Sequence, residues 1–235
     1  MPPFRSILTV MQDRHTDNSP RNAPDAFRHP FHVEASGVPF QKADGAVVLL
    51  HGRGSTAREI LQIMELLDGV DNIHAVAPQA RDCDWYPGRF NDPLESNEPY
   101  LSDALGVIDR MLTQLIDGGM PTHNIFLGGF SQGACLSLEH LCRRPQRLGG
   151  VFALAGGLMG DADTEWNRQG SAGGTPVYLS CAEEDSFIPI DRVEESSRHL
   201  QQLGCEVTLQ KLPGGEHRIT EPQLEKVESM LNRLG

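Results

Sequence analysis

Gly129-Phe130-Ser131-Gln132-Gly133 places a serine hydroxyl between two glycines. A serine that attacks a carbonyl is a weak nucleophile by itself; it needs a base beside it and an acid behind the base. The flanks favour that use over a glycine-rich turn with a structural serine. His123-Asn124-Ile125-Phe126-Leu127-Gly128 before the pentapeptide is a short apolar stretch of buried-strand type, and residues 134–141 after it have helical spacing. A serine on a sharp strand-to-helix turn presents its Oγ at the top of a sheet, and the flanking glycines permit the tight backbone. The chemistry implied is acyl transfer.

Nucleophile elbows of this kind take their partners in the chain order serine, acid, histidine. Past Ser131, the run Cys181-Ala182-Glu183-Glu184-Asp185-Ser186-Phe187-Ile188-Pro189 follows a strand-like stretch and offers three acids. Asp185 is favoured by its place before Ile188-Pro189, with Glu183 and Glu184 as competitors nearer the strand. His217, in the glycine-rich run Leu212-Pro213-Gly214-Gly215-Glu216-His217, is the best base. Beyond Asp185 the other histidine is His199, which falls in a helical segment and is expected at a solvated position. Acyl transfer also needs donors where negative charge develops. The backbone N–H of Gln132 is expected to supply one. The second is assigned to the N–H of Arg53, in the early loop Leu50-His51-Gly52-Arg53-Gly54. His51 precedes the serine and is expected to pack and hydrogen bond beneath that loop.

The elements that must position these residues alternate between strand and helix. Ala46-Val47-Val48-Leu49-Leu50 is a continuous apolar run, as in a parallel strand covered on both faces. Thr56-Ala57-Arg58-Glu59 fits a capping box, with Ile60, Ile63, Met64 and Leu67 following at helical spacing. A strand at 73–77 stops at Pro78, and a helix spans about 100–116. Further strands are expected at 125–128, 151–154, 177–181 and 207–212, with helices after Ser131, at 191–203 and after Thr220. This alternation predicts an α/β fold with a mostly parallel sheet flanked by helices, whose ligands bind beyond the carboxyl ends of the strands. Residues 1–28 are rich in Pro, Asn, Asp, Arg and His and are expected to be a loosely ordered extension. Residues 29–235 are expected to be a single domain, opening with an edge strand near Phe31-His32-Val33-Glu34.

Composition narrows the partners. The net charge of −12 argues against nonspecific binding to nucleic acid or anionic membranes. No apolar run reaches the roughly 18 residues of a membrane span, and the N-terminus lacks a convincing secretory signal, so a cytoplasmic protein without stable membrane insertion is expected. Five scattered cysteines without a CxxC pair read as reduced, mostly buried thiols. No His/Cys cluster has zinc spacing, so no metal is expected. No cofactor is implied.

Taken together, His51-Gly52-x-Gly54, Ala77-Pro78, Trp85, Gly128-Gly129-Phe130-Ser131-Gln132-Gly133, Asp185 and Gly215-x-His217 resemble the phospholipase/carboxylesterase family of α/β-hydrolases. That family includes bacterial carboxylesterases and acyl-protein thioesterases, and the resemblance runs from about residue 44 to the C-terminus. It implies an α/β-hydrolase fold, a serine carboxylesterase or thioesterase activity, and a possible homodimer. It also implies Ser131 as nucleophile, Asp185 as orienting acid, His217 as general base, and the amides of Arg53 and Gln132 as oxyanion hole. Three departures stand out: Arg53 where the family usually has an apolar residue, Ser55 where it has Asp, and Glu216 where a small or apolar residue precedes the histidine. These bear on the substrate rather than on the triad. The expected substrates are small-molecule esters or thioesters of small to medium acyl groups, with lysophospholipase or acyl-protein thioesterase as the alternative. A noncatalytic hydrolase-fold binding protein is disfavoured because all three triad candidates are present.

The segment 78–90 follows a strand end and is expected to border the site. Trp85 and Tyr86 would form one wall of the pocket or pack the loop onto the domain. If two of Arg53, Arg81 and Arg89 point inward, they would bind a carboxylate or phosphate on the substrate. Residues 91–100 are a polar, acidic loop, at the surface or serving as a lid.

Overall fold

The computed structural model describes residues 32–166 and 169–234. The extension expected at 1–28 lies outside the described residues. Seven strands form one sheet: β1 (Val33–Gly37), β2 (Gly45–Leu50), β3 (Ile73–Pro78), β4 (Ile125–Phe130), β5 (Gly150–Leu154), β6 (Pro176–Ala182) and β7 (Glu206–Leu212). Their spatial order is β1-β3-β2-β4-β5-β6-β7. The edge strand β1 runs antiparallel to β3, and every other pairing is parallel. The fold is that of an α/β-hydrolase.

Among the described residues, five α-helices cover the two faces: α1 (Ala57–Leu61), α2 (Tyr100–Asp117), α3 (Gln132–Arg143), α4 (Ile190–Gln202) and α5 (Glu221–Leu231). The pleat of β2 shows why its apolar run is unbroken. Ala46, Val48 and Leu50 pack into the core under α2, α3 and α4, whereas Val47 and Leu49 pack into the core under α1 and α5. All five are fully buried. Burying each Val or Leu side chain contributes about 1.5–3 kcal/mol.

The Thr56 capping box forms as the spacing predicts. Glu59 N–H donates to Thr56 Oγ1 at 3.2 Å, and Thr56 N–H donates to Glu59 Oε2 at 3.1 Å. The α-helix it starts is shorter than the periodicity implied. It ends at Leu61 and tightens into a 3₁₀ turn over Gln62–Leu66, which still buries Ile63. At the other end of the chain, Thr220 N–H donates to Gln223 Oε1 at 2.7 Å, opening α5 with Pro222 in its first turn.

The carboxyl ends of β2, β3, β4, β6 and β7 lead respectively to Arg53, to the 84–88 loop, to Ser131, to Asp185 and to His217. Five strand ends therefore supply one site.

Candidate active site

Ser131 joins β4 to α3 with φ 52° and ψ −114°, a conformation that a non-glycine residue adopts at a cost of order 1–3 kcal/mol. The glycines around it are required by proximity to β2. A Cβ on Gly129 would lie 2.5 Å from the Leu50 carbonyl oxygen, and one on Gly133 only 2.2 Å from it. The Ser131 N–H is tied to the Leu154 carbonyl of β5 at 2.9 Å. The elbow is thus clamped by both neighbouring strands.

His217 Nε2 stands 2.8 Å from Ser131 Oγ, and His217 Nδ1 stands 2.7 Å from Asp185 Oδ2. A carboxylate can only accept, so Nδ1–H donates to Asp185 and the Nε2 lone pair faces the Ser131 hydroxyl. Asp185 Oδ1 accepts the N–H groups of Phe187 at 2.8 Å and Ile188 at 3.0 Å. Burial pushes the Asp185 carboxyl up. The hydrogen bond and charge of His217, with the two amides, outweigh that and hold it below its ordinary value. The imidazole lies between the rings of Phe130 and Phe187, each with its centroid 5.0 Å away. All three residues are buried.

Glu183 and Glu184, the competing acids, are exposed. Their main chain has a different use: Glu183 N–H donates to Leu212 O and Glu184 N–H to Gly214 O, which ties the acid loop to the histidine loop. Gly215 is needed at that junction, since its Cβ would lie 2.8 Å from the Glu184 carbonyl.

The cleft over Ser131 has Tyr86, Phe90, Phe187 and Ile188 as apolar lining, with Arg53 and Arg89 also on its wall. Its volume is about 50 Å³, well under the roughly 300–1,000 Å³ of pockets that enclose drug-sized ligands. Trp85 does not line it. The indole is fully buried, packs 5.1 Å from the His51 ring, and donates Nε1–H to His51 O at 3.0 Å. Of the two readings of Trp85, packing the loop onto the domain is the one the structure has. His51 itself sits beneath the loop, accepting the Ala80 N–H at Nε2 (3.1 Å) and meeting Gly52 O through Nδ1 (2.8 Å).

The arginines separate. Arg53 is buried, and its Nη2 donates to Tyr86 O at 2.7 Å and Gly88 O at 2.6 Å, with Asp84 Oδ1 3.4 Å from Nε. Arg89 is exposed at the cleft wall, and Arg81 is exposed away from it. The 91–100 segment, expected as a surface loop or a lid, holds a 3₁₀ turn over Leu94–Asn97 and is tied to the cleft loop. Asn97 is fully buried, accepts Gly88 N–H at 2.8 Å and donates to Arg89 O at 2.9 Å. His199, expected in solvent, is buried against Trp166 and Cys142, with ring centroids 5.3 Å apart and Nε2 3.5 Å from Sγ.

Sequence reasoning did not reach several contributors: the side chain of Gln132, Asp84, Asn97, and the amides that hold Asp185. The last had a signal, since an Asp side chain commonly accepts the backbone N–H two residues on. The others lie in loops whose partners are distant in sequence.

Among the described residues, no group of three or more His, Cys, Asp or Glu is placed to hold a metal ion. None of their helices is long and apolar enough to cross a membrane. None of the five cysteines forms a disulfide.

A mostly parallel sheet with a serine elbow after one strand and an acid and histidine after two others defines an α/β-hydrolase. The Phospholipase/Carboxylesterase family model matches residues 32–234. An acyl-protein thioesterase 1 of Gibberella zeae is 35% identical over 218 residues, covering 80% of this chain and 89% of that protein. A solved phospholipase/carboxylesterase from Dyadobacter fermentans superposes with a TM-score of 0.83 at 34% identity, covering 89% of this chain and all of that one. The solved esterase PE8 gives a TM-score of 0.71 at 25% identity, covering 88% and 99%. The chain belongs to the phospholipase/carboxylesterase family. It is a carboxylic ester hydrolase.

Proposed function

We propose that this hydrolase uses Ser131 as nucleophile, His217 as general base and Asp185 to orient the imidazole, with the amides of Arg53 and Gln132 as oxyanion hole. The observation that carries the reading is the unbroken Ser131–His217–Asp185 hydrogen-bond line. Ser131 Oγ attacks the carbonyl carbon of an ester or thioester while its proton passes to His217 Nε2. The tetrahedral oxyanion is held by the two amides. On collapse, His217 returns the proton to the departing alkoxide or thiolate, leaving Ser131 acylated. A water then gives a proton to His217 and attacks the acyl carbon, releasing the carboxylic acid and restoring the serine.

The narrow cleft favours small to medium acyl groups. Arg89 at its wall is the residue placed to discriminate charged from neutral substrates, and Tyr86 contributes apolar contact. Action on acyl-proteins is the second reading, favoured by the named activity of the Gibberella zeae relative. A cytoplasmic location is part of the proposal and accords with five cysteines none of which forms a disulfide. The test is hydrolysis of p-nitrophenyl esters and matched acyl thioesters across chain lengths, wild type beside Ser131→Ala. Turnover lost in the variant and falling beyond medium chains supports the first reading. Rates that rise to long acyl chains favour the second, and turnover retained by Ser131→Ala refutes both.

A further inference from the structure

Asp84 is a carboxylate that the acyl-transfer chemistry leaves unused. Its Oδ1 accepts Nε2–H of Gln132 at 2.7 Å and lies 3.4 Å from Nε of Arg53. The same two side chains meet again on the Tyr86 carbonyl, Gln132 Nε2 at 2.8 Å and Arg53 Nη2 at 2.7 Å. Arg53 continues to Gly88 O, and Gln132 Oε1 accepts the Trp85 N–H at 2.9 Å. Arg53 and Gln132 come from different strand ends, yet they are the two residues whose amides would form the oxyanion hole. Their side chains are cross-tied through one short loop with Asp84 at the node.

The loop is a firm anchor. Trp85 is fully buried and bonded to the His51 carbonyl, two residues before Arg53. Gly54 N–H donates to Cys83 O at 2.7 Å, closing the same two segments from the other side. The Arg53 side chain is 7% exposed and that of Asp84 22%, so the charge pair is largely shielded from water. Charge-assisted bonds of this kind are roughly twice as strong as neutral ones.

We propose that Asp84 is a positioning residue for the oxyanion hole, setting the relative placement of the Arg53 and Gln132 amides by holding both side chains on one carboxylate. The inference rests on the catalytic reading given above. An oxyanion donor works within about 2.7–3.1 Å of the developing charge, and loss of a whole donor costs about 10²–10³ in kcat. Slackening the tie without removing a donor is expected to cost less, about 10–100-fold.

The test compares wild type, Asp84→Ala and Asp84→Asn in kcat and KM on p-nitrophenyl butyrate, inhibition by an alkyl trifluoromethyl ketone, and melting temperature. Addition of Ser131 Oγ to the ketone carbon, with the hydroxyl proton passing to His217, places a stable oxyanion in the hole. In Asp84→Ala, kcat is expected to fall about 10–100-fold with KM within about threefold, and Ki for the ketone to rise by the factor lost in kcat/KM. Asp84→Asn keeps an acceptor for Gln132 and is expected to recover part of both losses. The pH profile of kcat keeps its wild-type inflection, because the Asp185–His217 pair is untouched. A folded Asp84→Ala with kcat within twofold of wild type overturns the proposal, as does a loss of kcat with unchanged ketone affinity, which marks a general structural role. If the alanine variant does not fold, Asp84→Asn carries the test: a parallel loss of about 3–10-fold in kcat/KM and ketone affinity supports it, and wild-type values overturn it. Ser131→Ala run alongside separates the two ideas, since turnover surviving there sinks the catalytic reading itself.

Discussion

Asp185→Asn is the most exacting test of the proposed catalytic line, because the surroundings dictate which way the amide must face. In the native site Oδ1 accepts two backbone N–H groups, from Phe187 at 2.8 Å and Ile188 at 3.0 Å. An asparagine must keep its oxygen there, since turning the amide over would set its NH₂ against two donors. The NH₂ then occupies the position of Oδ2, 2.7 Å from His217 Nδ1. Two donors cannot face each other at that distance, so His217 is driven to present its Nδ1 lone pair and carry its proton on Nε2. That proton points at Ser131 Oγ, and the base can no longer accept. Catalysis is left to the minor tautomer, and the same substitution in a trypsin-like triad costs about 10⁴ in kcat. The expected loss here is about 10³–10⁴, equivalent to roughly 4–5.5 kcal/mol in the barrier. Both amide bonds to the side-chain oxygen survive, so the fold is expected to persist. The assay is steady-state hydrolysis of p-nitrophenyl acetate at pH 7.5, with Ser131→Ala as the floor and circular dichroism to confirm folding. A folded Asp185→Asn enzyme keeping more than about a tenth of wild-type kcat would refute the tautomer argument.

The same carboxyl predicts a stability effect with a definite sign. Asp185 is held below its ordinary value of 3.8 in the folded chain, so its ionised form stabilises the protein above that pH, and the contribution is lost as acid protonates it. The melting-temperature gap between wild type and Asp185→Asn is therefore expected to be present at pH 4 and to narrow as the pH is taken progressively below 3.8 in differential scanning fluorimetry; a gap that keeps widening below 3.8 would contradict the assignment. At the elbow, Gly133→Ala would put a Cβ 2.2 Å from Leu50 O and 2.5 Å from its carbonyl carbon, both main-chain atoms of β2 that cannot move aside. We expect a loss of about 2–4 kcal/mol in urea unfolding. Gly214→Ala, with φ +86° but nothing within 4 Å, is expected to lose only about 1 kcal/mol. Equal losses in the two variants would mean that the contact with β2 is not what requires the glycine.

The sheet was legible because its strands are covered on both faces. A run such as Ala46-Val47-Val48-Leu49-Leu50 needs no alternation when helices lie on either side, and it reads as one apolar block. The elbow was legible for a similarly local reason, since Gly129 and Gly133 around Ser131 both answer the close approach of Leu50 at the end of β2. What local pattern did not reveal was decided by distant neighbours. His199 carries the spacing of a solvated helix position, but Trp166 arrives from a long loop and covers it. Ile60, Ile63, Met64 and Leu67 fit a continuous α-helix, yet the segment tightens after Leu61 while Ile60, Ile63 and Leu67 stay buried, so burial survived the change of helix type. Trp85 and Tyr86 are adjacent aromatics in one loop, and nothing in their order distinguishes the one that packs beneath from the one that faces the cleft.

Arg53 carries this point furthest. From sequence, an arginine in the loop expected to supply an oxyanion donor suggests an anionic substrate. In the folded chain, its guanidinium meets the Tyr86 and Gly88 carbonyls and the Asp84 carboxylate, all from the loop that shapes the cleft. A cation already facing two carbonyls and a carboxylate has little attraction left for a substrate anion, and drawing it away would leave Asp84 without its charged partner. Arg53 and Arg89 both line the cleft, but the Arg53 guanidinium is engaged by the loop, which leaves the exposed Arg89 as the arginine proposed to meet a substrate anion. The Arg53 side chain thus holds the cleft loop through the Tyr86 and Gly88 carbonyls, and its contribution to the charge of the cleft is set by that engagement.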